Sequence, residues 1–162
     1  MNMELEWYSF VYAFTSAIFF IITAILIPKR MSVSEMYVTC AFSGVIQFIS
    51  DFLFILKYDW YGYFYHGSDF YGLFIVYGVY PPFTIIYLNF YPYGRKWSKQ
   101  LSYILFYTFF AIFYEWTAVL SGYFFYNGWK LWYSAMWYPP LLALLAFHYR
   151  LVMRYTRKYS LS

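Results

Sequence analysis

Two acids interrupt long apolar runs: Asp51 and Glu115, with Gln47 one helical turn before Asp51. A charged side chain at the bilayer centre costs at least about 2.5 kcal/mol on insertion scales, so acids in such runs usually face a protein interior and mark a site. Asp51 stands five residues before the end of its run at Leu56, about 7.5 Å at the helical rise. Glu115 stands eight residues before Tyr123, about 12 Å by the same measure. Gln47 shares a helix face with Asp51 and falls level with Glu115. Gln47, Asp51 and Glu115 are therefore the candidates for binding a ligand or a proton. No Lys or Arg inside the runs offers them a counter-ion. Acids so placed can carry protons, hold a cation, bind an amine or act as an acid–base. They can equally serve as hydrogen-bonding groups that pin helices together.

Signals for other chemistry are weak. His66 falls in a loop and His148 at the far end of a later run, on opposite sides of a membrane, so they cannot share a metal. With Cys40 as the single cysteine, neither a zinc site nor a disulfide scaffold is expected. Gly-rich phosphate loops, nucleophile elbows and paired-Cys motifs are missing from the chain, and no cofactor is expected. Asp59, His66 and Asp69 could form a loop cation site, although ordinary loop polarity explains them as well. The loop around Trp60 is expected at the interface, where Trp and Tyr keep one end wet and the other dry.

The elements that position these residues follow from composition. Hydrophobic residues make up 64% of the 162 residues and charged ones only 11%, against about 25% charged in a soluble domain. The apolar excess is too large to hide inside one globule, so the lipid bilayer is the expected partner. A spanning helix needs about 20 mostly apolar residues. By that ruler the spans are about 7–27, 33–56, 71–90, 101–126 and 131–149. Strand-like alternation is absent over these lengths, which excludes a membrane barrel. The expected fold is all-α, a single polytopic bundle of five transmembrane helices over residues 1–162. Glu4 and Glu6 stand where a secretory signal would carry positive charge, so the first run reads as a helix.

Basic residues orient the bundle. Nine of the eleven Lys and Arg flank the first, third and last turns: Lys29, Arg30, Arg95, Lys96, Lys99, Arg150, Arg154, Arg157 and Lys158. Only Lys57 and Lys130 fall on the other side. Short loops rich in Lys and Arg stay cytoplasmic, which places the N-terminus outside and the C-terminus inside. The net charge of +4 expresses this bias and calls for no nucleic acid. The tail from Arg150 to Lys158 could also attract anionic headgroups.

The two outer loops resemble each other. Gly62-Tyr63-Phe64-Tyr65-His66-Gly67 matches Gly122-Tyr123-Phe124-Phe125-Tyr126-Asn127-Gly128. Each follows a span bearing an acid and precedes a span carrying Tyr-Pro-Pro, at Tyr80-Pro81-Pro82 and Tyr138-Pro139-Pro140. Spans two and three thus read as one hairpin and spans four and five as its parallel copy, with chance in an aromatic-rich chain as the alternative. Pro81, Pro82, Pro139 and Pro140 are expected to kink their helices, because proline removes a backbone donor and crowds the carbonyl four residues back. Hydroxyls of Tyr77, Tyr80, Thr84, Ser134 and Tyr138 could satisfy the freed carbonyls.

From Pro81 to His148 the chain resembles a family of small uncharacterised multi-span proteins of spore-forming Gram-positive bacteria. The residues are Tyr87-Leu88, Tyr91-Pro92, Lys99-Gln100, Tyr103, Glu115, Gly122, Asn127-Gly128-Trp129, Trp132, Ser134 and His148. The resemblance implies a multi-pass protein of the bacterial plasma membrane and brings no activity. Three functions fit the residues. One is binding of a cationic or amphipathic small ligand, or of protons, in an outward-facing polar and aromatic pocket. Another is a non-catalytic partner subunit of a larger membrane complex or homo-oligomer. The third is an intramembrane enzyme acting on a lipid-like substrate.

Overall fold

The apolar runs fold as helices, and in the computed structural model residues 7–65 and 70–159 are described. Glu4, Glu6, His66 and Asp69 lie outside the described residues. The elements are α1 (Trp7–Leu26), α2 (Val33–Asp51), a π-helical continuation (Phe52–Lys57), β1 (Tyr61–Tyr63), α3 (Phe70–Asn89), α4 (Trp97–Leu120), β2 (Phe124–Tyr126) and α5 (Leu131–Tyr159). Four helices are long and apolar enough to cross a membrane: Trp7–Leu26, Val33–Lys57, Tyr71–Asn89 and Trp97–Leu120. That is compatible with a multi-pass membrane protein. In α5 the residues Trp132, Tyr133, Ser134, Tyr138, Pro139 and Pro140 dilute the apolar content.

Four boundaries differ from the sequence reading, the first being the start of the fourth helix at Trp97 rather than 101. The fourth helix stops at Leu120 rather than 126, because Gly122 takes a φ of +76° and the chain turns into β2. The fifth continues through Arg150 and Arg154 to Tyr159, past the expected stop at Tyr149. The second ends in π spacing, with the Tyr58 N–H donating to the Leu53 carbonyl five residues back at 3.0 Å. Pro81, Pro82, Pro139 and Pro140 all lie inside unbroken helical segments.

The helices close a ring. α3 packs against α1 and α2, α5 against α2 and α4. Side-chain bonds close the remaining α1–α4 gap: Ser9 donates to the Ser121 carbonyl at 2.7 Å, and Ser16 meets the Tyr114 hydroxyl at 2.9 Å. The α1–α3 contact is close because Ala13, Ala17 and Ala24 form a buried stripe of small side chains. A Cβ on Gly78 would stand 2.9 Å from the Ala17 Cβ.

The two loops expected outside pair with each other, which the all-α reading missed. β1 and β2 form an antiparallel ribbon with Tyr61 opposite Tyr126, Gly62 opposite Phe125 and Tyr63 opposite Phe124. Tyrosine and phenylalanine favour strands, but a two-stranded ribbon is marginal alone and needs a packed face. Here Tyr61, Tyr63, Phe64, Tyr123 and Phe124 are all buried on the bundle. Beside the ribbon the Trp60 carbonyl accepts three successive N–H groups, from Asn127 (2.8 Å), Gly128 (3.0 Å) and Trp129 (2.9 Å). The Asn127 amide donates to Asp59 Oδ2 at 2.6 Å. Trp60 stacks on Phe54 and Tyr58.

The opposite end holds the basic turns. Lys29 caps α1 by donating to the Ile25 and Ile27 carbonyls at 2.9 and 2.8 Å. Buried Asn89 accepts from the Arg30 N–H at 2.7 Å and donates to the Pro28 carbonyl at 2.9 Å, tying this turn to the end of α3.

Candidate functional site

A cavity of about 160 Å³ lies inside the ring, against the ribbon. Every helix contributes to its wall: Phe20 from α1, Ser43 and Gln47 from α2, Tyr80 and Thr84 from α3, Tyr114 and Glu115 from α4, Ser134 and Tyr138 from α5. Tyr61, Tyr63 and Phe124 of the ribbon roof it.

Glu115 is 5% exposed and sits in this wall. Its position on α4 follows a stripe of Ile104, Thr108, Glu115 and Ala118, the buried face of that helix. Ser134 donates to its Oε1 at 2.7 Å, and Trp129 Nε1 donates to Ser134 Oγ at 2.7 Å. Tyr126 also donates to Oε1, and Tyr138 donates to Oε2. Ser134 and Tyr138 are one turn apart on α5, so one helix face delivers both. A carboxylate has about four acceptor positions. Three are taken by hydroxyls, which leaves about one for a group inside the cavity.

Asp51 and Gln47 come together as their spacing indicated. The Gln47 amide donates to Asp51 Oδ1 at 2.8 Å, and the Tyr61 hydroxyl donates to the same oxygen at 3.0 Å. Gln47 also lines the cavity, with the Tyr63 hydroxyl 3.5 Å from its amide nitrogen and Tyr80 a further 3.4 Å along. Asp51 itself stands behind that wall. The three candidates therefore share one region as two separate acid clusters, bridged by paired strands rather than by direct contact.

Other expectations change. Ser134 and Tyr138 direct their hydroxyls to Glu115, not to carbonyls freed by Pro139 and Pro140. Tyr80 meets Tyr63, and Tyr77 is exposed. The repeated glycines have different jobs. Gly62 lies in β1, where a Cβ would stand 2.6 Å from the Phe125 ring, whereas Gly122 turns the chain after α4. His148 is half-buried on α5 with its ring stacked on Phe42 at 3.8 Å.

Glu35, in the first turn of α2, is an acid that the sequence analysis did not single out. It is 2% exposed. Its Oε2 accepts the Ser32 N–H at 2.9 Å while Glu35 N–H donates to Ser32 Oγ at 3.2 Å, a reciprocal cap on α2. Tyr149 and Thr156 of α5 donate to its oxygens at 3.2 and 3.0 Å. Ser32-Val33-Ser34-Glu35 carries the Ser-x-x-Glu spacing that announces such a cap.

No protein-family model, curated protein or solved structure matches this chain.

Proposed function

We propose that the chain is a small membrane module that binds a cationic or amphipathic small ligand in the aromatic cavity, with Glu115 as its charge partner. The observation that carries this reading is a buried acid on a cavity wall whose hydrogen-bond partners among the described residues are all hydroxyls. Hydroxyls orient a carboxylate without neutralising it, so a cation in the cavity would gain both the acid and the ring faces around it. Cation–ring attraction reaches about 2 kcal/mol when water is excluded. Tyr61, Tyr63, Tyr80, Trp129 and Trp137 supply such rings.

In this reading all five helices cross the bilayer, with the ribbon outside and the basic turns inside. The run of Lys29, Arg30, Arg95, Lys96, Lys99, Arg150 and Arg154 at one end supports that orientation. The hairpins α2–α3 and α4–α5 are read as a parallel duplication. Its support is that each gives one strand to an antiparallel ribbon, while α1 fits between α3 and α4.

Calorimetric titration of the purified protein with tetramethylammonium tests the site. Glu115→Gln keeps the shape and most hydrogen bonding but cannot ionise, and should weaken binding at least tenfold, about 1.4 kcal/mol. Equal affinity for parent and variant would show that Glu115 is only a structural clamp joining α4, α5 and the ribbon. That clamp is the second reading, which its three hydroxyl bonds favour. For orientation, single cysteines at Ser98 and Lys130, in a background lacking Cys40, should react with an impermeant thiol reagent from opposite sides.

A further inference from the structure

Two stripes face each other across the α2–α5 seam. Ile46, Ser50 and Phe54 recur every four residues on α2 and its π-helical continuation, and Trp137, Leu141 and Leu145 recur every four on α5. Residues four apart share a helix face, and all six line the cavity. All six also keep some exposure, and Trp137 is 46% exposed. The seam is therefore a wall of the cavity and part of the outer surface at once.

The seam has two closed ends. At the basic end Phe42 stacks on His148 at 3.8 Å, and Glu35 holds Tyr149 and Thr156. At the ribbon end Phe54 meets Trp129 and Trp137, with ring centroids 5.0 and 6.3 Å apart. From Phe42 to Phe54 the slot measures about 18 Å at 1.5 Å per residue, and from Trp137 to His148 about 16 Å. Three other sides of the cavity are filled among the described residues. The ribbon roofs the cavity with buried Tyr61, Tyr63 and Phe124. Below, the Tyr87 hydroxyl donates to the Leu142 carbonyl at 3.0 Å within a buried cluster. On the far side Phe20, Phe83 and Phe110 form a triangle with every centroid pair 6.2 Å apart.

We infer that the cavity is loaded sideways from the lipid through the α2–α5 seam, and that its ligand is a single-chain membrane amphiphile with a cationic headgroup. The inference rests on the reading of Glu115 given above. The headgroup enters the aromatic cavity beside Glu115, where the charges complement each other, and the chain lies in the slot. A slot of about 16–18 Å suits a hydrocarbon chain, and its stripes offer apolar side chains with Ser50 the one small polar residue.

The test uses the whole protein in lipid nanodiscs with two radiolabelled probes, tetramethylammonium and tetradecyltrimethylammonium. The parent should bind the long probe at least thirtyfold tighter. Ser50→Trp with Leu141→Trp, which fills the slot, should reduce that advantage, read as the ratio of the two affinities in the same variant, to threefold or less. A photoreactive group on the chain of the long probe should label segments 46–54 and 137–145 of the unmodified protein, so the outcome does not depend on the variant folding. Tetramethylammonium binding with no gain from the chain, or labelling confined to α1 and α4, would overturn the lateral route and leave the Glu115 reading standing. Binding of neither probe to the parent would overturn both.

Discussion

Glu115 and Glu35 are buried almost equally, at 5% and 2% exposure, yet they belong to different kinds of place. Glu35 lies in the first turn of α2, where the helix dipole favours an acid and a backbone N–H accompanies its hydroxyl partners. It is not in the wall of the aromatic cavity, and it joins α2 to α5. Glu115 lies in the last third of α4, receives only side-chain hydroxyls among the described residues, and borders an aromatic space. Burial alone does not separate a clamp from a site. The partners of the acid and the room beside it do.

The largest effect should come from Glu115→Leu. It removes the acceptor of Tyr126, Ser134 and Tyr138. Each buried hydroxyl left unpaired costs about 1–3 kcal/mol, so stability in thermal or denaturant unfolding should fall by about 3 kcal/mol or more, and ligand binding should vanish. A parent-like melt would mean that the hydroxyl cluster does not hold the bundle together. Next comes Glu35→Ala. Losing the cap costs about 1 kcal/mol, and the lost hydrogen bonds from Tyr149 and Thr156 add about 0.5–1.5 kcal/mol each, so a loss of about 2–4 kcal/mol is expected. Affinity for tetramethylammonium should stay within twofold. A loss of affinity equal to that of Glu115→Gln would erase the distinction between the two acids.

Smaller changes sharpen the contrast. Tyr126→Phe and Tyr149→Phe each delete one hydroxyl from one acid and should cost about 1 kcal/mol in stability. Only Tyr126→Phe should change ligand affinity, by a few-fold in titration. Gln47→Leu should have the smallest effect on the Glu115 cluster. It removes a donor from Asp51 but leaves Tyr61 in place, so binding should shift by threefold at most.

The long elements were legible because hydrophobic run length is a local property. Residues 7–26, 33–57 and 71–89 fall almost where the apolar runs place them. Gln47 and Asp51 were legible for the same reason, since a four-residue spacing fixes a shared face. The ribbon was not legible. Tyr61 and Tyr126 are 65 positions apart, and a three-residue strand has no periodicity to detect. The partners of Glu115 were half legible: Ser134 and Tyr138 were singled out for their hydroxyls, but the direction of those hydroxyls depends on how α4 packs on α5. The matching glycines of the two loops have different roles for a physical reason. The same residue type serves a close ring contact at Gly62 and a left-handed turn at Gly122.

The Trp60 carbonyl has a consequence for biogenesis. Its three N–H partners, Asn127, Gly128 and Trp129, are translated roughly 70 residues after it, on the order of 3–14 s at 5–20 residues per second. During that interval α1 can settle against α3, but the acceptor still lacks these N–H partners. The second hairpin must then deliver residues 124–129 to the same spot before the bonds close. Ribbon formation therefore waits for the second hairpin. A nascent chain arrested before Phe124 should expose Trp60 to protease and reagent, and release of the full chain should protect it.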